Sequence, residues 1–92
     1  MKFNKANETI YISGQLFFAS ANSLIEYFEK QDPQENIMID VSHVHIWDEL
    51  GIDALFATLD ILDTKYHSYK IVGLQTTNMK LKAKIDSINS LE

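Results

Sequence analysis

Several things are missing from this 92-residue chain, and each absence removes a class of protein. It has no cysteine, so disulfides, thiolate chemistry and cysteine-based metal sites are excluded. No apolar run approaches the roughly 18 residues that a membrane-spanning helix needs. The charged start at Met1–Lys5 is not followed by an apolar run of signal-peptide length. From these absences we expect a soluble, cytoplasmic chain.

Positive charge is also scarce. Lysine and arginine together number 8 against 13 aspartates and glutamates, which gives a formal net charge of −5. Nucleic acids and acidic membrane surfaces are held by clustered cations, so we expect neither as a partner. The hydrophobic content of 46% is ordinary for a globular domain, and the chain length suits one small domain.

Two strands are predicted at the start of the chain. Residues 9–16 (TIYISGQL) alternate between apolar and polar side chains, which is the periodicity of a half-buried strand. Phe3 lies in a shorter strand that pairs back through a turn at residues 6–8. Gly14 inside the strand pattern indicates a bulge or a close backbone approach.

A first helix and a buried strand follow. Ser20, Asn22 and Ser23 are N-cap candidates, and Ser23 with Glu26 fits a capping box. The helix ends near Lys30, because proline disfavours helical geometry in the residue before it. The apolar run at residues 37–41 predicts a short strand covered on both faces, followed by a tight turn.

A second helix is predicted to open at Asp48. Asp53, Asp60 and Asp63 lie on its water-facing side, and five apolar residues form the stripe that faces the sheet. These are Ile52, Leu55, Phe56, Leu59 and Leu62. Residues 70–74 (KIVGL) predict the next strand, so residues 37–74 form a parallel, right-handed βαβ unit.

A last helix completes the predicted α/β domain. Thr76, Thr77 and Asn78 are its cap candidates. Its buried face is expected at three apolar positions, Leu81, Ile85 and Ile88, with Lys80 and Lys84 forming a basic face.

The corner between the strand at residues 37–41 and the second helix contains the candidate chemistry. His43 and His45 share one side of an extended stretch, and Asp40 or Asp48 could join them in a metal site. A zinc site needs three or four converging ligands with second-shell support, and no fuller motif is present. A buried, hydrogen-bonded histidine beside an exposed one explains the pair without a metal, so we assign no metal or cofactor.

Catalytic interpretations of the same corner are also weak. Asp40 at a strand end is similar to the phosphoacceptor of response regulators, but no acidic pair follows the first strand to hold magnesium. Ser42, His45 and Asp48 contain the residue types of a hydrolytic triad, yet no Gly-rich loop precedes them to form an oxyanion cradle. We therefore expect a non-enzymatic domain.

Helix geometry explains the acidic residues of the corner. Asp48 is the expected N-cap, whose carboxylate accepts backbone N–H groups, and Glu49 favours the helix dipole. These carboxylates make the helix start a poor anion site. Trp47 is expected to be a staple or core residue, and Phe17 and Phe18 are expected in the core, with one ring pointing away from the other.

Two segments give the chain a family resemblance. Residues 14–20 (GQLFFAS) and residues 45–48 (HIWD) resemble the corresponding segments of STAS domains, in particular the cytoplasmic C-terminal STAS domain of SulP-type anion transporters. The predicted order of strands and helices agrees with that fold. The resemblance implies a small mixed sheet of about four strands flanked by about three helices, with residues 1–92 as one STAS domain excised from a larger membrane transporter.

The same fold occurs in bacterial anti-sigma-factor antagonists, whose turn usually reads D-S-S-G with a phosphorylated first serine. Here residues 48–51 read DELG, so Glu49 stands at the position of that serine. A carboxylate carries one fixed charge, whereas a phosphate adds about −1.5 to −2. A phosphorylation switch at Glu49 is therefore excluded.

The resemblance implies a regulatory domain at the cytoplasmic face of the cell membrane in the full-length protein. Its partners would be the transmembrane domain of the same sulfate or bicarbonate transporter, other proteins, or a second STAS domain. The alternative is a free-standing regulator of the anti-sigma-factor antagonist type. Nucleotide binding is suggested for some relatives, but no phosphate-cradling glycines are present here. The expected partner-binding residues are His45, Trp47, Asp48, Glu49, Gly51, Asp53 and Asp60.

Overall fold

A computed structural model describes residues 1–90 of the chain. The elements are β1 (Lys2–Ala6), β2 (Thr9–Leu16), α1 (Ala21–Glu29), β3 (Gln34–Ile46), α2 (Glu49–Lys65), β4 (Tyr66–Val72) and α3 (Met79–Asn89). The sheet order is β1-β2-β3-β4, with β1 antiparallel to β2 and β3 parallel to both of its neighbours. The predicted α/β class, the mixed sheet and the parallel βαβ unit are confirmed. Within the described range, no helix is both long and apolar enough to cross a bilayer.

The core lies on one face of the sheet. Ile10, Ile39 and Ile71 are neighbours across β2, β3 and β4, and all three side chains are buried. Because side chains alternate along a strand, Tyr11 and Met38 point to the opposite face, where they are 47% and 41% exposed. The prediction that β3 is covered on both faces is therefore wrong.

The predicted turn after residue 41 is also wrong, because β3 continues to Ile46. One residue of β2, Ile12, stands opposite two residues of β3, Val41 and Ser42, where the register shifts. This bulge reverses the inward and outward positions. Val44 is consequently buried, while His43 and His45 are exposed on the open face of the sheet.

The bulge supplies its own hydrogen bonds. The Ser42 amide and hydroxyl both donate to Asp40 Oδ1, at 2.9 and 2.6 Å. The first of these bonds pairs the Ser42 amide at the point where the register of the ladder shifts. Both bonds hold the pKa of the Asp40 carboxyl below its ordinary value.

Helix α1 begins earlier than the predicted capping box. Ser20 occupies the N-cap position but does not cap with its side chain; its hydroxyl donates to the Gln15 carbonyl at 2.6 Å. Ser23 lies inside the first turn of the helix, so the predicted box with Glu26 is wrong.

Helix α2 packs through a narrower stripe than predicted. Leu55, Leu59 and Leu62 are buried, but Ile52 and Phe56 are only half-buried. Ala54 and Thr58, two small residues that the pattern did not include, are also buried. Helix α2 packs against α1 as well as against the sheet.

Strand β4 begins four residues before the predicted start at Lys70. The polar residues between Tyr66 and Tyr69 conceal its periodicity, yet both tyrosines are buried. The Tyr69 hydroxyl donates to the Asp63 carboxylate. Asp63 is exposed, and this bond connects it to a buried residue of the core. Burial, together with Asp63, raises the pKa of Tyr69.

Helix α3 is anchored at both ends. Asn78, one of the predicted caps, accepts the Leu81 amide at 2.9 Å. At the other end, the Asn89 side chain donates to the Ile71 carbonyl at 2.7 Å and accepts the Ile71 amide at 3.0 Å. Leu81 and Ile85 are buried as predicted, while Ile88 is half-buried.

Candidate functional site

The corner between β3 and α2 is held by one carboxylate. Asp48 is the N-cap of α2, as predicted, and its Oδ1 accepts the Gly51 amide at 2.9 Å. Its Oδ2 accepts the amide of Phe18 at 3.0 Å, from the loop that follows β2. Asp48 therefore fastens two strand-to-helix junctions together, a link across 30 positions that the sequence did not reveal.

Close backbone packing stabilises the same corner. The Leu16 carbonyl accepts the Trp47 amide at 2.9 Å. A Cβ atom at Gly51 would lie 2.6 Å from that carbonyl oxygen, so only glycine fits without a shift. Gly51 is buried, so it lies beneath the predicted contact site and not on its surface.

Apolar side chains project from this corner into solvent. Trp47 is 69% exposed, Phe18 is 66% exposed and Leu50 is 54% exposed. The half-buried Phe17 joins them, with its ring 5.4 Å from Phe18 and 6.3 Å from Trp47. We call these four residues the apolar corner.

The exposure of the apolar corner corrects two predictions. Trp47 is not a core residue or staple, and Phe18 is not in the core. The rings of Phe17 and Phe18 meet edge to face, with their planes at 89°. The backbones of the two exposed residues are fixed by Asp48 and Leu16 in positions that leave the rings outside. Contiguous exposed apolar groups of this kind typically mark interaction sites.

Three further predicted contact residues, Glu49, Asp53 and Asp60, form an acidic surface that runs along α2 from the apolar corner. Glu49 is exposed in the first turn of α2. Asp53 and Asp60 are exposed seven positions apart, on one side of the helix and about 10 Å apart along its axis. His45 lies apart from them, on the open face of the sheet.

The geometry brings together neither of the chemical constellations considered for this corner. The Ser42 hydroxyl contacts Asp40 and, at 3.2 Å, His43 Nδ1, while Asp48 is engaged with the two amides. Across residues 1–90, no three His, Cys, Asp or Glu side chains converge as a metal would require.

An open cleft of about 1450 Å³ adjoins the corner. Trp47, Asp48 and Glu49 line it on the α2 side, and Lys82 and Asp86 line it on the α3 side. The corner thus combines a fixed backbone, exposed rings, carboxylates and an adjacent groove.

Comparison with protein-family models identifies the family of this chain. The model of the STAS domain matches residues 2–86. The chain belongs to the STAS domain family. This confirms the resemblance given by residues 14–20 and 45–48, and the fold that it implied.

Two similar proteins represent two kinds of protein that contain STAS domains. The "Putative sulfate transporter YbaR" of Bacillus subtilis (strain 168) is 40% identical over 47 residues, which cover 51% of this chain but only 10% of that protein. The crystal structure of an anti-sigma-factor antagonist STAS domain from Rhodobacter sphaeroides has a TM-score of 0.61 and 25% identity. That match covers 78% of this chain and 83% of the other. The chain is thus related to both kinds of STAS protein.

Proposed function

We propose that this STAS domain is a non-enzymatic regulatory and interaction module of a SulP-type anion transporter that moves sulfate, bicarbonate or a similar anion. The observation that carries this proposal is the apolar corner, three of whose side chains are more than half exposed on a rigid backbone. The similarity to a sulfate transporter supports the transporter assignment. The domain would then be one part of a larger membrane protein, on its cytoplasmic face.

The chemistry of the corner suits protein binding. Tryptophan is enriched among residues that dominate interface energies, because a large ring buries much area at little entropic cost. Glu49 lies beside Trp47 in the chain, and Asp53 and Asp60 lie further along α2, so the charge that can orient a partner and increase its association rate extends along the helix from the corner. The partner is the transmembrane part of the same transporter, and binding would assist gating, dimer assembly or trafficking. Neither a cofactor nor a nucleotide is part of this proposal.

The alternative is a free-standing STAS protein of the anti-sigma-factor antagonist type, and the structural similarity to such a domain favours it. The chain differs from that type at Glu49, where the resemblance places the phosphorylated serine. A fixed carboxylate cannot switch a partner on and off by phosphorylation. Fractionation of native cells with an antibody against this domain separates the two functions: the transporter domain sediments with membranes, whereas the free-standing regulator stays in the supernatant.

Uptake measurements test the role of the corner. In cells that carry the native gene, Trp47→Ala combined with Leu50→Ala should change the initial rate of sulfate or bicarbonate uptake by several-fold at equal protein level. Met79→Ala is the matched control, because Met79 is 74% exposed but lies at the start of α3. Equal uptake in the corner variant and the control would contradict the proposed function.

A further inference from the structure

Two histidines lie on the open face of the sheet, outside the apolar corner. His43 and His45 are both exposed. They are two positions apart in β3, beyond the bulge, and therefore on the same face of the strand. At about 3.3 Å per strand residue, their Cα atoms are about 6.6 Å apart. Two imidazole rings can span that distance around one ion, with metal–nitrogen bonds of about 2.0–2.1 Å.

The ring of His43 is oriented by a chain of hydrogen bonds. The Ser42 hydroxyl donates its single hydrogen to Asp40 Oδ1 at 2.6 Å. Toward His43 Nδ1, 3.2 Å away, the same hydroxyl can therefore only accept. In the neutral ring, Nδ1 consequently carries the hydrogen, and Nε2 keeps the lone pair that a metal ion binds. A metal-binding histidine usually donates its other N–H to a polar partner in this way.

The surroundings of the pair suit an exchangeable cation. Asp40 lies at the end of the hydrogen-bond chain, and the whole protein has a net charge of −5. On β2, the register partners of the two histidines are polar, Ser13 and Gln15. Within residues 1–90, no third His, Cys, Asp or Glu side chain converges with them. A bound ion would thus have two protein nitrogens and leave its remaining positions to water, unlike a closed structural zinc site.

We propose that His43 Nε2 and a ring nitrogen of His45 bind a late first-row divalent cation. Imidazole nitrogens suit Zn²⁺, Cu²⁺ and Ni²⁺, whereas Mg²⁺ and Ca²⁺ favour oxygen ligands. Asp40 and Ser42 are positioning residues, because they keep the hydrogen of His43 on Nδ1. The sequence predicted no metal, since this hydrogen-bond chain is visible only in the structure. The site is independent of the proposed function and uses no residue of the apolar corner.

Zinc is the probe, because NMR spectra of the side-chain nitrogens report both ring nitrogens of each histidine while Zn²⁺ is bound. In the untagged, metal-free chain, His43 should carry its hydrogen on Nδ1. Titration with Zn²⁺ should then shift the nitrogens of His43 and His45 saturably. The exposed His67 of β4 is the internal control, and its nitrogens should shift only at about tenfold higher concentrations, because it binds alone.

Substitutions separate a two-histidine site from isolated surface histidines. His43→Ala and His45→Ala should each weaken Zn²⁺ binding by about tenfold or more, whereas the matched His67→Ala should leave the affinity unchanged. Ser42→Ala should weaken binding by about tenfold, because it releases the ring that the hydroxyl orients. Gln15→His adds a third imidazole beside His45 and should strengthen binding by about tenfold or more.

Three results would overturn the proposal. They are equal Zn²⁺ affinities at all three histidines, a hydrogen on Nε2 of His43 in the metal-free chain, and an unchanged affinity in His43→Ala or His45→Ala. Backbone amide spectra show whether each variant keeps the parent fold. The first two results come from the parent chain and decide the question even if a variant does not fold.

Discussion

The two strand-to-helix junctions, one after β3 and one after β4, have the same capping hydrogen bond but differ in loop length and in their other contacts. Asp48 and Asn78 each accept an amide three residues ahead, both at 2.9 Å. Residues 47 and 48 alone connect β3 to α2, whereas residues 73–78 connect β4 to α3. Asp48 also binds the amide of Phe18 through its second oxygen.

This difference explains why the apolar corner remains exposed. A long loop can fold back and bury its apolar residues, as the half-buried Leu74 does in part. The short junction cannot move, because its cap, its link to Phe18 and the contact of Gly51 with Leu16 all fix the backbone. Trp47 is consequently presented to solvent by the fold itself.

The largest expected effect comes from Gly51→Ala. Alanine in a helix is ordinarily more favourable than glycine by about 1 kcal/mol. Here the added methyl would meet the Leu16 carbonyl oxygen at 2.6 Å, so we expect the free energy of unfolding to fall by about 1–3 kcal/mol. Urea denaturation measures the change.

The exposed Ala83 of α3 provides the control for that prediction, since Ala83→Gly should cost about 1 kcal/mol through helix propensity alone. The two positions should thus prefer opposite residues. A Gly51→Ala protein more stable than the parent would show that the junction after β3 is not tightly packed.

The two caps should differ when each is removed. Asn78→Ala should lower the free energy of unfolding by about 1 kcal/mol, the usual value of a cap. Asp48→Ala should cost more, about 1.5–2 kcal/mol, because it also frees the Phe18 amide. Thermal and urea unfolding of both variants check the order.

Asp48→Asn separates the two roles of that carboxylate. Its remaining oxygen can cap α2, but its amide nitrogen cannot accept the Phe18 N–H group, so its stability should lie between those of the parent and Asp48→Ala. Equal losses for Asp48→Ala and Asn78→Ala would mean that the link between the junctions adds nothing.

The smallest effect concerns the bulge that precedes the first junction. The Ser42 hydroxyl is the largest cause of the lowered Asp40 pKa, so Ser42→Ala should raise that pKa toward the ordinary value of about 3.9. Because the folded-state pKa is lowered, the stabilisation is present above the ordinary value and is lost as pH falls through the folded pKa. An NMR pH titration of the Asp40 carboxyl carbon measures it, and an unchanged pKa would contradict the assigned cause.

Local chemistry explains which features could be predicted from the sequence. The bounds of β2 and the caps Asp48 and Asn78 follow from alternation and from side chains that bond within three residues. The STAS fold follows from two segments whose residue types are specific together. The bulge at Ser42 could not be predicted, because it is defined by the register between two strands.

The exposure of Trp47 depends on the same kind of distant contact. Tryptophan is a residue type that favours burial. The hydrogen bond from the Trp47 amide to Leu16, together with the link between Asp48 and Phe18, places the ring outside. Of the predicted contact residues, Glu49, Asp53 and Asp60 are exposed, whereas Gly51 is buried and His45 lies on another face.

Photo-crosslinking in native membranes tests the central claim most directly. If the proposed function is correct, a photoreactive side chain in place of Trp47 should form crosslinks, identified by mass spectrometry, to the transmembrane part of the proposed transporter. The same group in place of the similarly exposed Met79 should not. Absence of crosslinks from position 47, or the same crosslinks from both positions, would contradict the assignment of the apolar corner as the contact surface.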